Sequence, residues 1–214
     1  MDEGPIVAAG PAEAPFRPLV AFDFDGTLTC RDSFLGFLRW RYGSRRFALA
    51  IARLTPSLVR YVNDRDRQKL KAALVGELMV GEGREALGAA AERFAAKCAR
   101  SLLRPDAVKC WRAWQKRNAR LVIVTASPEF LVTPFGRGLA AEAVIGTRLA
   151  FSDKDAATGA LDGRNCRGDE KVARLKEAFG EDVRLEAAYG DSSGDTAMLA
   201  IAQEAGMKVF GGRP

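Results

Sequence analysis

Two apolar runs that are typical of buried parallel strands lie far apart in this chain. The first is LVAFDFDG (19–26), and the second is ARLVIVTAS (119–127), in which LVIV is apolar without interruption. Such runs indicate central strands of a parallel sheet, because helices cover both faces of that sheet. A crossover between parallel strands usually needs about one to two dozen residues, far fewer than lie between Gly26 and Arg120. The extra length of this connection predicts a separate unit inserted after the first strand.

The rest of the chain alternates between strand-like and helix-like segments. Further strands are predicted at EAVIGT (142–147), LEAAYGDS (185–192) and GMKVFGG (206–212), and the segment 147–166 predicts a β-excursion. Helical spacing joins Val172, Leu175 and Phe179, and also Met198, Ile201, Ala202 and Ala205, with Gly206 as the helix stop. This alternation predicts an α/β fold with a three-layer α/β/α, Rossmann-like core and a mainly parallel sheet.

The inserted unit is predicted to be helical. Apolar side chains follow a 3.6-residue period in two stripes, Leu70, Leu74 and Leu78 and then Leu87, Ala90, Ala91, Phe94, Cys98 and Leu102. Pro105 suits the first position of a helix that leads back to the sheet. We therefore expect a helical domain at 31–103 and a core domain at 19–30 and 104–214. The prolines within 1–18 predict a flexible leader.

Composition removes several classes of chemistry. The chain has no histidine, which excludes a Ser-His-Asp or Cys-His active site and a histidine-ligated zinc. Its four cysteines lack C-x-x-C spacing, which suits reduced thiols in the cytoplasm. No apolar run approaches the roughly 18 residues of a spanning helix. We expect a cytoplasmic protein whose acid–base chemistry comes from Asp, Glu, Lys, Tyr or Cys.

Two pairs of aspartates follow predicted strands. Asp23 and Asp25 end the first strand, and Asp191 and Asp195 follow the strand at 185–192. Because ligands of open α/β sheets bind beyond the carboxyl ends of the strands, we expect these four carboxylates to meet there. A cation would relieve their mutual repulsion, and an all-oxygen ligand set favours Mg²⁺.

Two further residues make the same edge attractive to phosphate. Thr125 ends the second strand and offers a hydroxyl group and a backbone N–H. Lys171 lies near the start of a predicted helix in GDEKVARL, where the ammonium group and the positive helix end both attract an anion. We expect Thr125 and Lys171 to bind a phosphoryl group.

Together these segments resemble the four motifs of the haloacid dehalogenase-like phosphatase superfamily. DFDGT is similar to the first motif, the threonine of VIVTAS to the second, the lysine of GDEKVARL to the third, and GDSSGD to the fourth. Their order and strand context also agree. The helical insert at 31–103 resembles a type-one cap, as in the phosphoserine phosphatase-like branch, subfamily IB.

The resemblance implies a role for each of these residues. Asp23 would attack phosphorus and form an aspartyl-phosphate, and Asp25 would protonate the leaving oxygen and later deprotonate water. Mg²⁺ would be held by the Asp23 carboxylate, the Asp25 backbone carbonyl and Asp191, with Asp195 in support. The acid at Asp25 indicates a phosphatase, because a halide leaving group needs no proton. A receiver-like regulatory domain and a non-hydrolytic binding protein on the same fold are the alternatives from other classes.

The substrate is harder to derive. Phosphoserine phosphatases usually carry a glutamate soon after the first motif and glycines after the second, where this chain has Asp32 and ASPEF, with Ser127. Asp32 and Ser127 are therefore candidates for contact with the substrate. Several segments resemble a bacterial branch that includes phosphatidylglycerophosphate phosphatases, which implies a phospholipid headgroup as substrate. Phosphoserine or another small metabolite is the alternative.

One segment carries the excess positive charge. Residues 31–71 contain eleven Lys or Arg against three Asp. Arg46, Arg53 and Arg60 recur every seven residues, beside an apolar stripe that consists of Phe47, Ile51, Leu54, Leu58 and Val62, and Pro56 should interrupt this helix. A solvated helix of the cap is one interpretation, and an interfacial helix that contacts anionic lipid at the inner membrane face is the other. No motif favours a nucleic-acid partner.

Overall fold

The computed structural model describes residues 17–54 and 67–214, with 67–71 described by their backbone alone. Helices and strands alternate along this part of the chain. In order, they are β1 (Leu19–Phe22), α1 (Ser33–Arg53), α2 (Arg67–Leu78), α3 (Arg84–Leu102), α4 (Pro105–Lys116), β2 (Arg120–Pro128), α5 (Glu129–Gly138), β3 (Ala143–Phe151), β4 (Ala157–Asp162), α6 (Asp169–Phe179), β5 (Leu185–Gly190), α7 (Thr196–Ala200) and β6 (Ala202–Met207). The predicted leader lies almost entirely outside the described residues.

The six strands form one sheet in the order β4-β3-β2-β1-β5-β6. β1 lies between β2 and β5 and is parallel to both. β3 and β6 also join in parallel, and β4 alone pairs antiparallel, with β3. That antiparallel pair is the β-excursion predicted at 147–166. The three-layer α/β prediction with a mainly parallel sheet is confirmed.

Alternate side chains of β1 enter different cores, which is why the whole strand is buried. Val20 and Phe22 face one hydrophobic cluster, and Leu19 and Ala21 face the other. The Phe22 ring lies 5.0 Å from the ring of Trp111, which is fully buried on α4. Burial of a phenylalanine side chain such as that of Phe22 stabilises the fold by about 1.5–3 kcal/mol. These two cores hold β1, and the residues at its carboxyl end, rigidly in place.

Helices α1 to α3 occupy the long connection between β1 and β2. The stripe predicted on α3 is buried, including Leu87 and Phe94. α1 breaks at Gly43, which has a φ of 77°, whereas the sequence suggested an interruption at Pro56, which lies outside the described residues together with Leu58, Arg60 and Val62. Within the described ranges, no helix combines the length and apolarity that a membrane crossing requires. The division into a core and a type-one cap stays a prediction.

Two segments near the C-terminus differ from the prediction. α7 ends at Ala200, so the helical stripe through Ala205 is wrong, and the last strand is β6 (Ala202–Met207) rather than 206–212. Alanine and glycine dominate this segment, and such small residues fit the spacing of a helix as well as that of a strand. The segment forms a strand because the free edge of β5 offers it backbone hydrogen bonds. Gly206 pairs with Tyr189 and does not stop a helix. A Cβ at Gly206 would collide with the Tyr189 ring.

Candidate active site

The predicted site residues meet in one pocket at the carboxyl end of β1. The pocket has a volume of about 500 Å³, and Asp23, Asp25, Thr125 and Lys171 line it together with Asp32, Ser127, Asp191 and Asp195. Asp23 directly follows β1, and its backbone N–H donates to the carbonyl of Tyr189 on β5. Because β1 and β5 are neighbours, the loop after β5 brings its aspartates to Asp23. The expected convergence of all four carboxylates is found.

Lys171 stands at the centre of this site. Its Nζ donates to Asp23 Oδ1 and Asp195 Oδ1, each at 2.7 Å, and to the Val124 carbonyl at 2.5 Å. The side chain is only 1% exposed. An ammonium group has three donors and no acceptor, so these contacts use its full capacity. The buried ammonium group of Lys171 therefore contacts β2, the loop after β5 and the end of β1 at the same time.

The electrostatics of the site follow from this burial. Burial raises the pKa of Asp23 to about 7, and the charge of Asp195 adds to the effect while the Lys171 ammonium opposes it. Burial would also raise the pKa of Asp195, but Lys171 and the backbone N–H groups of Asp191 and Ser192 outweigh it and lower that pKa. Burial disfavours the charged form of Lys171, yet its two carboxylate partners raise its pKa. The site thus favours the ammonium and a negatively charged Asp195.

Three of the carboxylates lie close enough to share a cation. Asp23, Asp191 and Asp195 each offer an oxygen, and these atoms lie within 4.8 Å of one another. Gly26, with a φ of 86°, packs against Asp191, and a Cβ there would collide with the Asp191 carboxylate. The donor set is all oxygen and carries more negative charge than one lysine balances, so it fits a hard cation such as Mg²⁺.

Asp25 is held apart from that cluster by its own hydrogen bonds. Its Oδ1 accepts from the Ser33 N–H at 2.7 Å and from Thr29 Oγ1 at 3.4 Å. Its Oδ2 accepts from Ser127 Oγ. Burial raises the pKa of Asp25, the Asp32 charge raises it further, and the hydrogen bonds from Ser127 and Ser33 counteract part of the shift. The carboxyl group is therefore oriented and biased toward its protonated form.

The other candidates have structural partners as well. Thr125 is buried, and its Oγ1 accepts from the Ser127 N–H at 3.0 Å. Asp32 caps α1 by accepting from the Leu35 N–H at 2.8 Å, while it also lines the pocket. Ser127 contacts Asp25, a partner that the sequence did not suggest. Whether Asp32 and Ser127 touch a substrate stays a prediction.

The sequence reasoning missed several residues of the pocket. Asn165 and Arg167 line it and lie within six residues of Lys171. Asn165 Oδ1 accepts from Thr147 Oγ1 at 2.7 Å, and Arg167 donates to Ser193 Oγ at 3.1 Å. The segment NCRGDEK, which precedes and includes Lys171, contains both of them. Their closeness to Lys171 along the chain was the signal that could have found them.

The order of the sheet and the contents of the pocket define a class of protein. It is an α/β domain with a mainly parallel sheet, and an acidic cluster and a buried lysine lie at the carboxyl ends of its strands. The chain belongs to the haloacid dehalogenase-like hydrolase family, whose sequence model matches residues 20–200. Family membership, expected from the four motifs, is thereby confirmed, and the narrower branch stays a prediction.

Several known proteins are similar to this chain. Protein CicA of Caulobacter vibrioides is 57% identical over 196 residues, which cover 92% of this chain and 88% of CicA. A crystal structure of a protein of unknown function from Bordetella pertussis Tohama I aligns with a TM-score of 0.72 and 24% identity, over 87% of each chain. A phospho-aspartyl intermediate analogue of phosphoserine phosphatase aligns with a TM-score of 0.57 and 19% identity, over 88% of this chain and 85% of that one. At these identities the two structures support the fold.

Proposed function

We propose that this protein is a Mg²⁺-dependent phosphomonoester hydrolase that acts through an aspartyl-phosphate on Asp23. The observation that carries the proposal is the contact of Asp23 with Lys171, at 2.7 Å, inside a pocket that Asp25 and Asp191 also line. The positive charge at that position orients the nucleophile and attracts the transferring phosphoryl group. The structural similarity to phosphoserine phosphatase supports the same reaction class.

The reaction is proposed to take place in two displacements. An Asp23 carboxylate oxygen forms a bond to phosphorus while the bond from phosphorus to the ester oxygen breaks, and Asp25 gives that oxygen its proton. Asp25, now ionised, then takes a proton from water as the water oxygen attacks phosphorus and the Asp23–phosphorus bond breaks. Inorganic phosphate leaves, and both aspartates return to their starting states.

The remaining groups stabilise charge in these steps. Thr125 donates its hydroxyl to an equatorial oxygen of the phosphoryl group, where negative charge accumulates, and Lys171 exchanges one of its present contacts for another such oxygen. When bound by Asp23, Asp191 and Asp195, Mg²⁺ would neutralise part of the same charge. Burial raises the pKa of Asp25, which suits a group that must hold a proton until the leaving oxygen needs it.

The direct test of the reaction is the Asp23→Asn variant. We expect it to lose hydrolysis of 4-nitrophenyl phosphate by at least about 1,000-fold, because an amide oxygen is a far weaker nucleophile. Asp182→Asn makes the same chemical change at an exposed residue and should keep wild-type activity. Full activity in Asp23→Asn, or activity that EDTA does not reduce, would contradict the mechanism, and an inactive wild type would favour the non-hydrolytic alternative.

For the substrate, we propose a phospholipid headgroup such as that of phosphatidylglycerophosphate, met at the cytoplasmic face of the membrane. The exposed side of α1 supports this, because Leu49, which is 58% exposed, lies among Arg45, Arg46 and Arg53. An apolar side chain among basic ones suits contact with an anionic lipid surface. Arg53 also pairs with Glu77 at 2.8 Å, which offsets its charge. Arg45 and Arg46 are therefore the better candidates for contact with lipid. Phosphoserine is the alternative that the structural relatives support.

A further inference from the structure

A second pocket adjoins the one that holds Asp23. Its volume is about 830 Å³, and it is lined by Cys30, Arg31, Arg100, Ser101, Arg104, Gly211, Arg213 and Pro214. Cys30 and Arg31 line the first pocket as well, so the two pockets are neighbours. The second pocket lies where the chain leaves β1 and where it returns after α3, since Thr29 and Leu103 form an antiparallel bridge. We call it the arginine pocket.

Backbone carbonyls position two of the four arginines of this pocket, Arg31 and Arg104. Arg31 Nη2 donates to the Ser101 carbonyl at 3.0 Å. Arg104 donates through Nε to the Thr29 carbonyl at 3.2 Å and through Nη1 to the Gly212 carbonyl at 2.9 Å. A carbonyl oxygen orients a guanidinium group but does not cancel its charge. Each of these arginines therefore keeps its positive charge and further N–H donors for a ligand.

No acidic partner neutralises the cluster within the described ranges. None of the four arginines forms a salt bridge there. Asp106 on α4 accepts the N–H groups of Gly211 and Gly212 at 2.8 Å each. It thus ties the C-terminal segment to α4 and does not pair with the arginines. The four arginines give this pocket an excess of positive charge, which favours an anionic ligand.

We propose that the arginine pocket binds a second phosphate-type anion, so that the substrate spans both pockets with two phosphate groups. The proposal rests on the proposed function, because it places a phosphomonoester at Asp23 and the second group beyond Arg31. Guanidinium groups match phosphate oxygens by paired N–H donors, and several arginines in one pocket favour a phosphodiester or phosphate over a neutral group. The second anion is either part of the substrate or a separate ion that binds beside it.

Two substrates with the same kind of leaving oxygen, a primary hydroxyl oxygen of a glycerol unit, isolate this effect. Glycerol 3-phosphate carries one phosphate, and glycerophosphoglycerol 3-phosphate carries the same monoester plus a phosphodiester. We expect wild-type kcat/KM to be higher for the second compound. The ratio of the two kcat/KM values should fall about tenfold in Arg100→Gln and in Arg213→Gln, because each change removes charge-assisted hydrogen bonds to the second phosphate. Arg93→Gln removes the same charge from an exposed position on α3 and should leave the ratio unchanged.

Sulfate, added at constant ionic strength, distinguishes the two sources of the anion. If the anion is part of the substrate, sulfate should compete with glycerophosphoglycerol 3-phosphate much more strongly than with glycerol 3-phosphate. If it is a separate ion, sulfate should change the rate on glycerol 3-phosphate without competing, and Arg100→Gln should abolish that change. The proposal would be overturned if the ratio of the two kcat/KM values is unchanged in both variants and if sulfate acts on wild-type protein and on Arg100→Gln alike.

The same reagents separate this proposal from the proposed function. If wild-type protein with Mg²⁺ hydrolyses neither compound, the proposed function fails. Calorimetric titration of sulfate into wild-type protein and into Arg100→Gln then tests the pocket by itself. Weaker sulfate binding in Arg100→Gln, but not in Arg93→Gln, would support an anion pocket, and equal binding in all three proteins would refute it.

Discussion

The most demanding prediction concerns Lys171, whose replacement by methionine removes a charge but keeps most of the volume. Asp23 and Asp195 are 6% and 2% exposed, so solvent cannot replace the ammonium group. Loss of one partner from a buried ion pair costs about 3–5 kcal/mol, because the other charge stays buried without compensation. We therefore expect Lys171→Met to lower the free energy of unfolding by about 3–5 kcal/mol in EDTA, as measured by urea denaturation.

The matched control is on the same helix. Lys176 pairs with Glu181 at 3.2 Å, and its side chain is 40% exposed. Lys176→Met should cost no more than about 1 kcal/mol, the usual value of a surface pair. Mg²⁺ should recover part of the stability of Lys171→Met, because the cation would bind the carboxylates that the variant leaves uncompensated. A loss below about 1 kcal/mol for Lys171→Met would refute the view that this lysine holds the site together.

Three further predictions test single features of the site. Asp25→Asn should reduce hydrolysis of an alkyl phosphate by about 100-fold or more. Hydrolysis of 4-nitrophenyl phosphate should fall much less, since a good leaving group needs little proton transfer. Equal losses on both esters would contradict the role of Asp25 as the acid. Gly26→Ala should weaken Mg²⁺ binding by about tenfold or more, measured by calorimetry, because the new Cβ displaces Asp191. Gly88→Ala is the control, because a Cβ there meets no atom beyond the backbone of its own helix; it should leave the affinity unchanged and add about 1 kcal/mol of stability. Wild-type protein should co-sediment with anionic liposomes at low salt and dissociate as the salt concentration rises, and Arg45→Glu should weaken that binding. If the protein does not co-sediment at low salt, the support for contact with a lipid surface is lost.

Local patterns were enough to predict most of the sheet. β1 and β2 are continuous apolar runs that only a doubly covered sheet can bury, and each contributes to the two cores. β6 was misplaced because its alanines and glycine carry no clear period. Its place depends on pairing with the open edge of β5, and residue spacing within the segment does not reveal such a pairing. Similarly, the break of α1 at Gly43 was not evident, since a single glycine inside a helical pattern is often tolerated.

The sequence by itself determined the kinds of chemical group at the site: it contains no histidine, and it places Asp23, Asp25, Thr125 and Lys171 beside strand ends and a helix start. Only the tertiary structure decided what these groups contact. It brings Lys171 within 2.7 Å of both Asp23 and Asp195, directs Ser127 to Asp25, and gathers arginines from three distant segments into one pocket. The physical reason is that strand and helix signals depend on near neighbours, whereas buried charge pairs and pockets depend on how the whole chain closes around its cores.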